Sequence, residues 1–184
     1  MRGLRRRFFG RFGLLYRRWA RRRMITDPQA MVDRAWGIVA AKRYCLLVTE
    51  SPGGPAARVV EPFARAADGT LWFGTDPRSR KISDIRRSPR CLLVFQDDRR
   101  RACVTLECDA QIVGADAPIR FRQFFRAFWP DGPGPDFVNV VCTPTALEIW
   151  DGLAVIAPEP FGRRQARLEL RDDHWELIPT IMEP

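Results

Sequence analysis

Hydrophobic positions recur every three to four residues at the start of the chain and every second residue through most of its remainder. Leu4, Phe8, Phe12, Leu15 and Trp19 fall on one stripe of a helix flanked by arginines. Gly10 and Gly13 weaken that helix by about 1 kcal/mol each. A second helical pattern starts near residue 27, with Asp27 or Thr26 as cap, Pro28 at the first helical position, and Met31, Val32, Ala35 and Val39 on one face. Strand-like runs then occupy 44–50, 57–66, 70–75, 91–96, 102–114, 138–144 and 146–152, and 166–179 closes the series. Two short helices interrupt them. One spans 79–89, capped by Ser79 and stopped before Pro89; the other spans 117–130, opened by Asp116 and Pro118 and ended by Pro130. About seven strands, mostly hairpin-linked, with few helices predict a mainly β fold, a closed antiparallel barrel with helices packed outside.

Composition changes this picture at the N-terminus. The formal charge of +9 is a property of the first 24 residues, which hold ten Arg and no acid; the rest is nearly balanced, with 21 basic and 22 acidic side chains. The division expected is therefore a basic amphipathic segment over 1–24 and one barrel domain over 25–184. A globally basic nucleic-acid-binding fold loses support. The five cysteines (45, 91, 103, 108 and 142) lack zinc-site spacing, and the one histidine is His174, so reduced buried thiols and a cytoplasmic location are expected, with no metal. No apolar run reaches 18 residues, and the twin-arginine look of "RRRFFG" fails because "YRRWARRR" breaks the apolar stretch such a signal needs.

The densest chemistry lies in "GTLWFGTDPRSRKISDI", residues 69–85. Ser79 stands at a helix start, whose free N–H groups and dipole favour an anion. Arg80 and Lys81 add cations in the first turn, against the preference of the dipole. Thr75 at a strand end adds a hydroxyl, and Arg58, expected on a strand hairpin-paired to 70–75, points to the same place. Such a set suits a phosphate monoester. A solvated basic turn with surface salt bridges to Asp76 and Asp84 accounts for the same residues without a ligand.

"ARVVEPF … GTLWFGTDPRSRKISDIRRSPRCLLVF" resembles the FMN-binding split-barrel family of the pyridoxamine 5′-phosphate oxidases, and "FFRAFWPDGPGPDFVNVVCTPTALEIWDG" resembles its general stress protein branch. The resemblance covers about residues 28–152 and implies a split β-barrel, FMN as cofactor (FAD or a deazaflavin sharing part of the same clamp), and a homodimer with two flavin sites at its interface. It implies that Arg58, Arg80 and Lys81 hold the phosphate, that Thr75 and Ser79 donate hydroxyl hydrogen bonds, that Val59 and Val60 lie along the flavin, and that Trp150 packs near the ring from the same or the second subunit.

The departures bear on activity. Phe63 stands where the oxidases carry a substrate-binding Lys, Ala102 or Cys103 where they carry a Gln, and Arg167-Leu168-Glu169 where they end in Arg-Leu-His. Gly74 replaces the aromatic before the Thr, thinning one wall. Oxidation of vitamin B6 is thereby disfavoured, and a small-molecule oxidoreductase or a flavin-binding stress protein remains. No acid/base pair stands out; Glu148 and Asp151 beside Trp150 read as surface carboxylates. A haem on the same barrel needs a His ligand, for which there is only His174. The rival from another class is a flavin-free barrel acting as a binding or scaffold subunit. In it, residues 1–24 recruit the chain to an anionic membrane surface or a membrane-protein partner. An organelle presequence and contact with nucleic acid are further readings of that segment.

Overall fold

The computed structural model describes residues 15, 18–19, 22–65, 69–113, 120–152, 154 and 165–179. Most of the basic N-terminal segment expected over 1–24 lies outside the described residues; within it Leu15 and Trp19 are exposed. Among the described residues no helix is long and apolar enough to cross a membrane.

Helix α1 spans Pro28–Val39, with Asp27 accepting a hydrogen bond from the Ala30 N–H at 2.8 Å and its apolar face buried. Strands β1 (Cys45–Ser51) and β2 (Gly54–Val60) form a hairpin. The run read as one strand over 57–66 breaks at Glu61–Pro62, so that β3 (Phe63–Arg65) pairs instead with β4 (Thr70–Thr75). Proline cannot donate to a ladder, and here it lets the chain change partners. Helix α2 spans Arg80–Arg87; β5 (Arg90–Asp97), β6 (Ala102–Ile112) and β7 (Val138–Asp151) come next as a meander, and β8 (Gln165–Arg171) with β9 (His174–Ile178) closes the order. The helix expected over 117–130 is, where described, a single 3₁₀ turn over Gln123–Ala127.

All pairings are antiparallel, and the order is β2-β1-β5-β6-β7-β4-β3, with β8 and β9 added beside β7. The barrel is thus split and not closed: β2 and β3 end the path without pairing to each other. Two further expectations are revised. Pro144 does not end a strand. β4 pairs β7 only up to Cys142 and β8 only from Ala146, so the proline falls in the gap between two partners, at a bulge where the β6–β7 register shifts. The single strand read over 166–179 is a hairpin turned at Asp172 and Asp173, whose φ values of 47° and 63° suit a two-residue turn.

Inward residues of every long strand fill one core, including Leu47, Phe73, Phe95, Leu106 and Ile149 and the thiols of Cys45, Cys91, Cys108 and Cys142. β4 is apolar on both faces: Leu71 and Phe73 enter the core, while Trp72 joins a second, aromatic cluster with Phe125 and Phe137 outside it.

Candidate functional site

Period-two alternation puts Arg58 and Val60 on one face of β2 and Val59, which is 64% exposed, on the other. Thr75 ends β4 on the inward face, and the three-residue connection Asp76–Arg78 delivers the chain to Ser79 and α2. A cleft of about 270 Å³ lies between them, lined by Val59, Val60, Gly74, Thr75, Lys81 and Phe125. Four of the eight expected site residues, Val59, Val60, Thr75 and Lys81, therefore meet in one place. Ser79 and Arg80 stand immediately before Lys81 at the helix start, Arg80 exposed to solvent.

Lys81 Nζ donates to Thr75 Oγ1 at 2.8 Å. Burial, and then the charge of Arg58, push the Lys81 pKa down. A bound anion would oppose both by its charge and raise the pKa again. Ser79 occupies the N-cap position, but its side chain makes no capping bond, contrary to expectation, and its hydroxyl is buried without a hydrogen-bond partner. A buried hydroxyl left unpaired costs about 1–3 kcal/mol. The Ile82 N–H already donates to the Ser79 carbonyl at 3.0 Å, and with the hydroxyl not capping, the Arg80 and Lys81 N–H groups at the start of α2 are the ones an outside acceptor could take. Arg78 closes onto Asp76 at 2.6 Å on the surface and, through that hydrogen bond, holds the Asp76 carboxyl down to about 2. One surface pair of the ligand-free reading is thereby present.

Arg58 is placed differently from the expectation. Its strand pairs with β1, opposite Leu47, and not with β4. Its guanidinium donates to Thr49 Oγ1 at 2.5 Å and to Asp84 Oδ2 at 2.8 Å. Asp84 is not a surface group: it is 4% exposed and also accepts from Thr49 (2.8 Å) and Ser51 (2.6 Å). The network ties the underside of α2 to the β1–β2 hairpin and offsets one of the three cations.

Trp150 is not in the cleft. It stands 43% exposed at the end of β7, beside Cys103 and Arg101. Asp151, read from sequence as a surface carboxylate, is buried and ion-paired with Arg34 of α1, and Glu148 accepts from Gln165 at 2.6 Å. Gly74 does not thin a wall either. A Cβ there would lie 2.6 Å from the Phe137 ring and 3.1 Å from Phe125, so those rings already fill the space.

Sequence reasoning missed Tyr44, Glu61, Phe124, Phe128 and Trp129 at the cleft. The aromatic density of "FFRAFW" was the available signal. Phe63, where the oxidases carry a Lys, stacks in the aromatic cluster 4.9 Å from Trp72. Arg167 is engaged by Glu107 and Glu169, and His174 is exposed at the β8–β9 turn.

The fold has solved counterparts. A pyridoxamine 5′-phosphate oxidase-related, FMN-binding protein from Nostoc punctiforme matches with a TM-score of 0.57 and 19% identity over 82% of this chain and 95% of its own. A protein from Clostridium acetobutylicum related to general stress protein 26 matches with a TM-score of 0.60 and 17% identity over 69% and 92%. A haem-binding protein from Mycobacterium smegmatis matches with a TM-score of 0.54 and 18% identity over 73% and 56%. No curated protein matches the sequence. The profile of the pyridoxamine 5′-phosphate oxidase family matches residues 31–150, which carry every expected site residue, and the chain belongs to that family.

Proposed function

We propose that the chain is an FMN-binding split-barrel protein of the general stress protein type, with FAD or a deazaflavin as the alternatives, and not an oxidase of vitamin B6. The observation that carries this reading is the buried, unpartnered Ser79 hydroxyl at the start of α2, next to Lys81 and Thr75 at the rim of an apolar cleft. These groups fit a phosphate. Lys81 supplies charge, Ser79 and Thr75 supply hydroxyls, and the first turn of α2 supplies N–H donors. Arg58 adds charge from the underside, its Nη1 already donating to Thr49 and the Ala56 carbonyl and its Nη2 to Asp84, and exposed Arg80 adds charge from outside. Val59 and Val60 offer backbone and apolar surface to a planar ring. A flavin, when bound, supplies the redox chemistry. The one carboxylate lining the cleft, Glu61, is tied to Arg43 at 2.8 Å.

Phe63 in its aromatic stack and Arg167 between two glutamates cannot make the substrate contacts of the oxidases, which supports excluding that substrate. His174, exposed at a turn remote from the cleft residues in the strand order, gives no support to haem. Tyr44, Leu46, Val59 and Phe128 form exposed apolar surface at and beside the cleft. A homodimer covering it, with Trp150 contributed from the second subunit, accounts for that exposure. Attachment of residues 1–24 to an anionic surface is a separate part of the proposal, tested by co-sedimentation with anionic liposomes.

The test is an absorbance scan of purified protein from about 300 to 550 nm, with mass spectrometry of what heat releases. A flavin spectrum is expected, and Arg80→Glu with Lys81→Glu should abolish it, since each lost charge-assisted bond to phosphate removes about 1.5–3 kcal/mol. A colourless protein that takes up no added FMN, FAD or deazaflavin refutes the reading and leaves the binding-subunit alternative.

A further inference from the structure

Arg58 reaches the anion-binding corner with its charge already matched. It shares a face of β2 with Val60, which lines the cleft, and its charge is felt at Lys81, whose pKa it helps to lower. Three acceptors hold its guanidinium: Thr49 Oγ1 at 2.5 Å, the Ala56 carbonyl at 3.2 Å and Asp84 Oδ2 at 2.8 Å. Asp84 is fixed in turn by the Thr49 and Ser51 hydroxyls. Its other oxygen lies 3.5 Å from Arg87, which is 45% exposed and therefore screened by solvent.

The other charges of the corner are arranged differently. Lys81 makes no ion pair among the described residues and donates to Thr75, and Arg80 is exposed. Asp76 is closed onto Arg78. Among the described residues, Asp84 is thus the one carboxylate in hydrogen-bond contact with a cation of the clamp. A carboxylate that is 4% exposed is weakly screened, so it opposes a phosphate arriving at Lys81 and occupies a guanidinium that the phosphate also attracts.

We propose that Asp84 is a built-in competitor for the phosphate: its carboxylate holds Arg58 against the ligand, keeps the affinity of the corner below what its cations allow, and so speeds release of the flavin. This role rests on the flavin reading above. It belongs to the Arg58–Asp84 contact and adds a brake to the clamp, where Lys81, Thr75 and Ser79 supply the grip.

The experiment measures binding of three probes by calorimetry on the full chain stripped of any flavin: FMN, riboflavin, which lacks the phosphate, and phenyl phosphate, which lacks the flavin. Asp84→Asn keeps the shape of the side chain and an acceptor for Arg58 while removing the charge. It should tighten FMN and phenyl phosphate about tenfold, the factor for one charge-assisted pairing, and slow FMN release on dilution by a similar factor. Riboflavin binding should not change. Affinity then rises while the fold loses stability, an opposition that a purely structural role does not produce. Arg58→Gln alone should weaken FMN about tenfold. Arg58→Gln combined with Asp84→Asn removes both charges, leaves no unpaired buried ion, and should return FMN affinity to within about threefold of the unmodified protein. Unchanged or weaker FMN binding in Asp84→Asn, or a double variant as weak as Arg58→Gln, overturns the proposal and leaves the flavin reading standing. If Asp84→Asn does not fold, as its melting temperature will show, the double variant decides. Failure of both FMN and phenyl phosphate to bind overturns the two readings together, whereas phenyl phosphate binding alone, in the same order of variants, overturns only the flavin.

Discussion

Asp84→Asn tests whether the Arg58–Asp84 network carries the join between α2 and the β1–β2 hairpin. The substitution keeps the shape of the side chain and removes its charge, leaving the Arg58 guanidinium, 21% exposed, without a counter-ion. Breaking a buried pair this way costs about 3–5 kcal/mol when both partners are fully desolvated. Here the carboxylate lies just beneath the surface and Arg58 keeps some contact with water. About 2–3 kcal/mol is therefore the expected loss. For a chain of this length that is a fall in Tm of about 4–12 °C.

The effect also has a pH signature. The Ser51 hydrogen bond first, with Thr49, Arg58 and Arg87 adding to it, holds the Asp84 carboxyl below the usual range against the opposing effect of burial. A depressed folded-state pKa contributes stability that is complete above the unfolded value near 3.9 and disappears as pH falls through the folded value. The gap between unmodified protein and variant, measured as urea unfolding free energy by circular dichroism, should be full at pH 7 and narrow below about pH 4. A gap under about 0.5 kcal/mol at pH 7, in the range of an ordinary surface substitution, would show the network to be incidental. A gap of constant size down to pH 3 would show that charge is not its cause.

Gly74→Ala should destabilise by about 1–3 kcal/mol, since the added methyl meets Phe137 at 2.6 Å and packed rings have nowhere to go; an unchanged Tm would mean the wall is pliable. Burial raises the Cys45 pKa to about 12, and Cys91, Cys108 and Cys142 are as deeply enclosed, so at pH 8 Ellman's reagent should react in the native protein with Cys103 alone and after unfolding with all five thiols. Rapid modification of more than one native thiol would contradict the core described.

How much could be read beforehand is clearest at the two prolines inside strand-like runs. Pro62 separates β2 from β3, while Pro144 sits within one continuous strand. Locally the two look alike. What distinguishes them is which neighbouring strand needs an N–H at that point, and this depends on pairings across most of the chain. Arg58 shows the same limit. Its residue type and position in an Arg-Val-Val strand were legible, but its partner was assigned to the next strand in sequence, whereas β2 folds back on β1 and α2 supplies Asp84 from beneath. Lys81, Thr75 and Ser79 were legible because they lie within seven residues of one another, so local geometry alone brings them together. Trp150 lay outside that reach, and a single chain does not bring it to them.

The β4–β7 pairing has a consequence for the order of assembly. β5 and β6 close through a short turn between Asp97 and Ala102, but β7 begins only at Val138 after a long connection, and Leu71 meets Cys142 across 71 residues of sequence. Loop-closure entropy makes such a contact late and slow unless the intervening chain has already condensed. Thr75, Ser79 and Lys81 are neighbours in sequence, but β4, which carries Thr75, is fixed in the sheet only at that closure, so the anion-binding corner becomes rigid late. Phosphate-bearing ligands should then slow unfolding without hastening folding, and a folding rate that rises with added FMN would contradict that sequence of events.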